Sequence, residues 1–241
     1  MTKIEKLQKL IDESANIVFF GGAGVSTESG IRDFRGKNGL YKTKPKVKTN
    51  KPPEYMLSHN CLYNEPELFY EYYKENMNIL DTKPNVTHKY LKKLEDEGKL
   101  KAIVTQNVDG LHQKAGSTNV FEIHGNIRDC YCIECGKEYN GDYLFEVSGV
   151  PICECGGIIR PDVVLFGEML PACFNDALNY IMRAELLIVS GTSLTVEPAA
   201  SLVRLFNGKH LVIINDSKTP YDNIADLVIN KPLKDVFGKL K

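Results

Sequence analysis

A glycine-rich stretch that directly follows an apolar run is the part of this chain whose residues most clearly indicate chemistry. The apolar residues 17–20 lead into G-G-A-G-V-S-T-E-S-G-I-R-D-F-R-G, residues 21–36. Glycines at the end of a buried strand let backbone N–H groups approach a phosphate, and a helix that starts there adds positive potential. The spacing alone fits an ordinary strand-to-helix turn equally well. The polar side chains crowded behind the glycines favour a nucleotide site, because a turn does not need them.

Two further polar groups follow apolar runs and predict a crevice beside that loop. Gln106, Asn107 and Asp109 come after the strand-like residues 102–105, and His124 comes after residues 120–123. The carboxyl ends of strands in an open parallel sheet share one crevice, where ligands bind. Asn and Asp also favour turns, and a lone histidine is more often structural, but Gln has no turn preference. A nucleotide site next to His124 favours a general base at that position.

Four clustered cysteines predict a structural metal site. Cys132 and Cys135 have two residues between them, and Cys153 and Cys155 have one. Thiolates in such pairs converge on one tetrahedral ion, and four protein ligands leave no open position for a substrate or water. Zinc is the favoured ion, with an iron–sulfur cluster as the alternative. Cys130 is an alternative ligand, although Cys132 has the better register.

Short apolar runs alternate with helical patterns along most of the chain, which predicts an α/β fold. Strands are predicted at residues 17–20, 102–105, 186–190, 211–215 and 227–229, and helices at residues 3–14, 85–97 and 198–207. Short branched strands separated by helices are typical of a parallel sheet that is covered on both faces. The predicted fold class is therefore a Rossmann-like parallel sheet with helices on both faces.

Two stretches interrupt this alternation and divide the predicted Rossmann-like domain into residues 1–36, 79–126 and 160–241. Residues 37–78 contain six lysines between positions 37 and 51, followed by an aromatic stripe. The lysine-rich part has too little apolar surface to pack, so we expect it to be flexible. Residues 127–159 contain the four cysteines and form the predicted zinc-ribbon module.

Composition excludes some classes of partner. The chain has 241 residues, with 30 basic and 31 acidic side chains and a formal net charge of -1. This balance predicts no obligatory nucleic-acid partner and no membrane partner. The first residues form a charged amphipathic pattern rather than a signal peptide, so we expect a cytoplasmic location. The oligomeric state is left open.

The motifs together resemble the sirtuin family of NAD-dependent protein lysine deacylases. The glycine stretch, Q-N-V-D at residues 106–109, H-G-N at 124–126 and G-T-S at 191–193 occur in the family's order, and the resemblance covers residues 17–230. It implies NAD as co-substrate and one structural zinc on the four cysteines. For residues 37–78 it implies a flexible cofactor-binding loop followed by a small helical module. The family usually has two residues between the last cysteine pair, whereas this chain has only Glu154 there.

The resemblance also implies a reaction. The amide oxygen of an acetylated lysine attacks the ribose, nicotinamide leaves, and His124 acts as general base on the ribose hydroxyls with Asn107 beside it. The expected products are deacetylated lysine, nicotinamide and O-acetyl-ADP-ribose. A single general base next to NAD suits this chemistry, because positive charge develops on the ribose in the transition state.

Cofactor residues are carried over position by position. Ile31 and Asp33 resemble the nicotinamide pocket, and Phe34 resembles the aromatic residue that shields the intermediate from water. Arg32 stands where the family usually has Pro. The cofactor-binding residues implied in this way are Gly22, Ala23, Gly24, Thr27, Ile31, Asp33, Phe34, Arg35, Gln106, Asn107, Asp109, Gly191, Thr192, Ser193, Asn215 and Asp216.

The implied substrate is an acetylated protein or peptide that binds as an added strand. The residues implied for it are Val164, Phe166, Gly167, Glu168 and Val196; an ordinary buried strand is the alternative interpretation of residues 160–168. Sirtuins that remove succinyl groups carry a Tyr-x-x-Arg pair. Here Tyr70 is kept and Tyr73 takes the place of the arginine. This favours an uncharged acyl group.

Two other functions fit parts of the pattern. One is mono-ADP-ribosyl transfer to protein from the same NAD site. The other is a zinc-ribbon binding protein that senses NAD without catalysis, which would leave His124 and Asn107 without a purpose.

Overall fold

The computed structural model describes residues 1–36, 39–43, 47–79 and 81–241. The strands are β1 (Ile17–Gly21), β2 (Leu100–Thr105), β3 (Val120–Glu122), β4 (Gly125–Cys132), β5 (Glu138–Asn140), β6 (Ile159–Val163), β7 (Leu186–Ser190), β8 (His210–Ile214) and β9 (Leu227–Ile229). The α-helices are α1 (Lys3–Glu13), α2 (Pro53–Met56), α3 (His59–Asn64), α4 (Pro66–Met77), α5 (Val86–Asp96), α6 (Leu111–Lys114), α7 (Tyr143–Glu146), α8 (Cys173–Arg183) and α9 (Leu233–Phe237).

Six parallel strands form the main sheet, in the order β3-β2-β1-β7-β8-β9. Every residue of β1 is buried, because the strand lies in the middle of the sheet with apolar packing on both faces. Ile17 and Phe19 belong to one buried cluster, and Val18 and Phe20 belong to another. Alternate side chains of a strand point to opposite faces, so an uninterrupted apolar run fills both clusters. The predicted fold class is confirmed.

The predicted helix at residues 198–207 has a different form. The chain makes a 3₁₀ helix over Ala199–Leu205 instead of an α-helix. Its start is held by side-chain bonds: the N–H and the hydroxyl of Ser201 both donate to Glu197. Local side-chain bonds of this kind compete with the regular helical ladder.

A smaller antiparallel sheet, in the order β5-β4-β6, lies next to a group of short helices. One buried cluster contains residues of both, among them Phe69 and Tyr73 of α4 and Ile127 and Ile159 of the small sheet. The two modules therefore share a core. The proposed division into three units remains a prediction.

The lysine-rich stretch is described only in part. Lys37, Lys44 and Lys46 lie outside the described residues, so the predicted flexibility stays a prediction. The described residues 39–43 fold back onto the glycine stretch, where the N–H of Leu40 donates to the carbonyl of Asp33 at 2.8 Å and that of Tyr41 donates to Phe34 at 3.0 Å. Among the described helices, none is both long and apolar enough to cross a membrane.

Candidate active site

The glycine loop follows β1 and contacts the loop that follows β7. The N–H of Gly22 donates to the carbonyl of Ser190 at 3.1 Å, and that of Gly24 donates to Gly191 at 2.8 Å. A Cβ atom on Gly24 would lie 2.7 Å from the Cα of Gly191. Gly191 itself has φ +62°, a conformation that L side chains rarely adopt. Glycine is needed at both positions because the two backbones touch.

A chain of buried polar groups lies at the floor of the crevice. The Asn107 amide donates to the hydroxyl of Ser26 at 3.0 Å, and this hydroxyl donates to the Asp109 carboxylate at 2.6 Å. The other oxygen of Asp109 accepts from the N–H of Leu111 at 2.9 Å. Burial raises the pKa of Asp109, and the bonds from Ser26 and Leu111 offset part of that rise. The sequence prediction that Asn107 and Asp109 come together with the glycine loop agrees with this geometry.

His124 lies in the turn between β3 and β4, at the carboxyl end of β3. Its Nδ1 is 3.1 Å from the carbonyl oxygen of Gln106, which can only accept, so Nδ1 carries the proton and Nε2 is the basic atom. Burial lowers the pKa of His124, and the bond with Gln106 opposes part of the shift. The ring is therefore held in one orientation and is neutral at neutral pH. A neutral imidazole with a fixed tautomer suits a general base.

The stretch assigned to nicotinamide continues from the glycine loop. Phe34 packs against the Tyr41 ring at 5.5 Å between centroids, and the Arg35 guanidinium lies 5.1 Å above the same ring. The carboxylate of Asp33 accepts from the N–H of Gly36 at 3.1 Å. Arg32 is exposed, and its guanidinium donates to the Asn76 side chain at 3.0 Å.

The residues assigned to the adenosine half lie at the ends of β7 and β8. The N–H of Gly191 donates to the carbonyl of Ile214 at 3.1 Å, so Gly191 and Asn215 are adjacent. Thr192 accepts from Gln106 at 3.1 Å and joins this side to the crevice. The hydroxyl of Ser193 contacts that of Thr195 at 2.8 Å. Asp216 and Thr27 are exposed.

The segment assigned to the peptide runs beside His124. The N–H of Val164 donates to the carbonyl of His124 at 2.9 Å. The backbone of Phe166 pairs with residues at the start of α3. Its N–H donates to the carbonyl of Leu57, and its carbonyl accepts from the N–H of His59, both at 3.0 Å. Gly167 is exposed with φ +92°, and Val196 is half-buried. The structure therefore brings Val164 to the catalytic candidate.

Glu168 is held by a buried cation. Its carboxylate accepts from Arg160 at 2.9 Å, from the N–H of Leu165 at 2.9 Å and from His59 at 3.1 Å. Burial opposes ionisation, yet these partners outweigh it and lower the pKa of Glu168 to about 2. The carboxylate thus shapes the turn at residues 165–168.

Four thiols meet at the end of the small sheet. The sulfur atoms of Cys132, Cys135, Cys153 and Cys155 all lie within 4.8 Å of one another. Two of the separations are 3.4 Å (Cys132 to Cys155) and 3.7 Å (Cys135 to Cys153). Tetrahedral zinc with Zn–S bonds of about 2.3 Å needs sulfur atoms roughly 3.8 Å apart, so the cluster fits zinc. Cys130 is turned away and donates to the carbonyls of Tyr139 and Asn140.

Ser26 and Asn85 were missing from the predicted site. Ser26 joins Asn107 to Asp109, as described above, and Asn85 donates to the backbone of the glycine loop. The polar crowding behind the glycines was the available signal for Ser26. For Asn85 there was none, because its contact spans 60 positions of the sequence.

The chain is similar to proteins of one family. A model of the Sir2 family matches residues 22–198. A Clostridium acetobutylicum protein named NAD-dependent protein deacetylase is 53% identical over 243 residues, covering 100% of this chain and 97% of the relative. A protein of the same name from Clostridium perfringens is 51% identical over 241 residues, covering 99% of this chain and 98% of the relative.

Solved structures with the same fold include Sir2 complexes. A Sir2 variant with deacetylated p53 peptide and 3′-O-acetyl ADP-ribose has a TM-score of 0.89 at 41% identity, covering 98% of this chain and 96% of that one. A complex of Sir2 with p53 peptide and NAD⁺ has a TM-score of 0.87 at 40% identity, covering 99% of this chain and 97% of that one. The similarity extends over the crevice and the cysteine cluster.

Proposed function

The chain belongs to the Sir2 family, and on this premise we propose which of its residues carry out the reaction of an NAD-dependent protein deacetylase. The protein removes acetyl groups from protein lysines, with NAD as co-substrate. The observation that carries the assignment is the His124 ring, whose Nδ1 is fixed on the Gln106 carbonyl beside the segment that begins at Val164.

His124 is the proposed general base. Its basic Nε2 accepts a proton from a ribose hydroxyl, and the Gln106 carbonyl stabilises the imidazolium that forms, because it accepts the Nδ1 proton. Asn107 and Asp109 are oriented through Ser26 and offer polar groups to the ribose and nicotinamide side. NAD supplies the ribose that receives the acetyl group and the nicotinamide that leaves.

The remaining proposed contacts are those with the pyrophosphate and the adenosine of NAD and with the acetylated peptide. The backbone of residues 22–24 is proposed for the pyrophosphate, because Gly22 and Gly24 are packed too closely against residues 191 and 192 to carry side chains of their own. Gly191, Ser193 and Asn215 lie at the ends of adjacent strands and are proposed for the adenosine half. The acetylated peptide is proposed to add as a strand between the loops that carry Gly167 and Val196.

Zinc has a structural role. All four ligand positions are filled by cysteine sulfur, which leaves none for substrate or water. The thiolates need a reducing compartment, and this supports our proposal of a cytoplasmic location.

The proposed function is tested with an acetylated lysine peptide and NAD labelled in its adenosine. We expect deacetylation only when NAD is present, with the label released in a small acetylated product. Label that stays on protein would instead show ADP-ribosyl transfer.

His124→Ala should lower kcat by roughly 10²–10⁴-fold, the usual contribution of a general base. NAD binding, measured by calorimetry, should be unchanged. Because burial lowers the pKa of His124, the acid limb of the wild-type kcat/KM profile should have its midpoint below pH 6.5. A fully active His124→Ala variant would refute the assignment.

A further inference from the structure

Asn85 makes hydrogen bonds in two directions from the N-terminus of α5. Its side-chain oxygen accepts from the N–H of Thr87 at 2.9 Å and so caps the helix. Its side-chain nitrogen donates to the carbonyl of Val25 at 2.8 Å and to the hydroxyl of Ser29 at 3.0 Å. One amide therefore ties α5 to the glycine loop.

Val25 and Ser29, which accept hydrogen bonds from Asn85, are the last residues of two successive short turns. The loop forms one 3₁₀ turn at Ala23–Val25 and a second at Thr27–Ser29. Turns of this length have few internal hydrogen bonds and poor geometry, so bonds from outside decide their position. Ser26 lies between them and is the residue that reaches Asn107 and Asp109.

The helix α5, which Asn85 caps, is anchored in the hydrophobic core. Leu91 and Leu94 of α5 are 0% and 1% exposed, and the side chain of His88 accepts from the N–H of Asn85 at 3.3 Å. Asn is suited to the position because a side-chain amide offers an acceptor and two donors at once. Asp would keep the acceptor for the cap and lose both donors. Ser would keep the acceptor and have one O–H donor, which cannot serve Val25 and Ser29 at once.

We propose that Asn85 is a positioning residue for the cofactor, which acts by fixing the glycine loop through Val25 and Ser29 so that Ser26 meets Asn107 and Asp109. This inference rests on the proposed role of the glycine loop in NAD binding. Asn85 contacts the loop through Val25 and Ser29, and no contact with substrate is assigned to it.

Three variants separate positioning from helix stability. Asn85→Ser keeps a good N-cap, so its Tm should stay within about 2 °C of wild type, but its KM for NAD should rise at least about tenfold. Asn85→Ala should show the same rise in KM and, in addition, a Tm lower by about 2–4 °C, because the cap is lost. Asn85→Asp should have the highest KM, because a carboxylate would face the Val25 carbonyl. The KM for the acetylated peptide should be unchanged in all three.

A double-mutant cycle gives a second measurement. Ser29→Ala should raise the KM for NAD less than Asn85→Ser does, and the double variant should be no worse than Asn85→Ser alone, since both remove one shared contact. A KM for NAD within about twofold of wild type in Asn85→Ser, or a KM that changes only in step with Tm, would overturn the inference. Wild-type protein that is inactive with NAD would overturn the proposed function instead.

Discussion

At the residue scale, the site depends on contacts between polar side chains that are distant in the sequence. Ser26 bonds to Asn107 and Asp109, which lie 81 and 83 positions away. The residue types were readable from the sequence, because Gln106, Asn107, Asp109 and His124 all follow strands. Their mutual bonds were not readable, since each depends on how the strand ends meet.

We expect single residues to set the acyl preference as well. Tyr73 is fully buried and stacks on Phe69 and Phe145. The sequence resemblance predicts that this is the position of the arginine in sirtuins that remove succinyl groups. The nearby guanidinium of Arg160 is already paired with Glu168. A succinyl carboxylate entering beside these residues would be desolvated without a cationic partner, which costs several kcal/mol.

We therefore expect acetyl-lysine to be preferred over succinyl-lysine by at least about tenfold in kcat/KM, which needs only about 1.4 kcal/mol. Matched peptides that differ only in the acyl group measure this. A butyryl peptide is the control, because it has the chain length of succinyl without its charge. Equal or faster removal of succinyl groups would contradict the prediction and show that another cation pairs with the succinyl carboxylate.

At the scale of elements, α5 supports the glycine loop and contains a buried titratable group. His88 is 0% exposed, and its ring lies 4.7 Å from that of His112 on α6. Burial lowers the pKa of His88 to about 4, and the pKa of His112 is also lowered, by burial and by His88. Both imidazoles are therefore neutral in the folded protein at neutral pH.

Their burial makes stability depend on pH. In the unfolded chain His88 takes up its proton near its ordinary pKa of 6.5, before the folded protein does, so stability falls as pH drops from 6.5 toward 4. For His88 alone the loss between pH 7 and pH 5 is about 2 kcal/mol. His88→Gln keeps a side chain that can bond to the Asn85 N–H and should remove this part of the slope. Urea unfolding at several pH values measures it; equal slopes for both proteins would contradict the prediction.

At the scale of the whole molecule, the zinc ribbon and the helical module share one hydrophobic core. Cys132 and Cys153 belong to the same buried cluster as Phe69 and Tyr72 of α4. The main sheet has its own two clusters. Loss of the metal should therefore loosen α4 as well as the ribbon.

We expect Cys132→Ala to lower Tm by at least about 10 °C, because the free energy of zinc binding at such a site is free energy of folding. Hydrogen exchange should show lost protection in α4 and β4, while β1 and β7 stay protected. Cys173→Ala, which removes a thiol outside the cluster, is the control and should keep its zinc. Folded, active wild-type protein without zinc in metal analysis would refute the structural role.

The sequence by itself determined the fold class, the cysteine cluster and the residue types of the crevice. It could do so because apolar period, glycine placement and ligand spacing are local properties of the chain. The tertiary structure decided the tautomer of His124, the pairing of Glu168 with Arg160 and the support of the glycine loop by Asn85. These depend on distances between segments far apart in the chain, which only the packing of the elements sets.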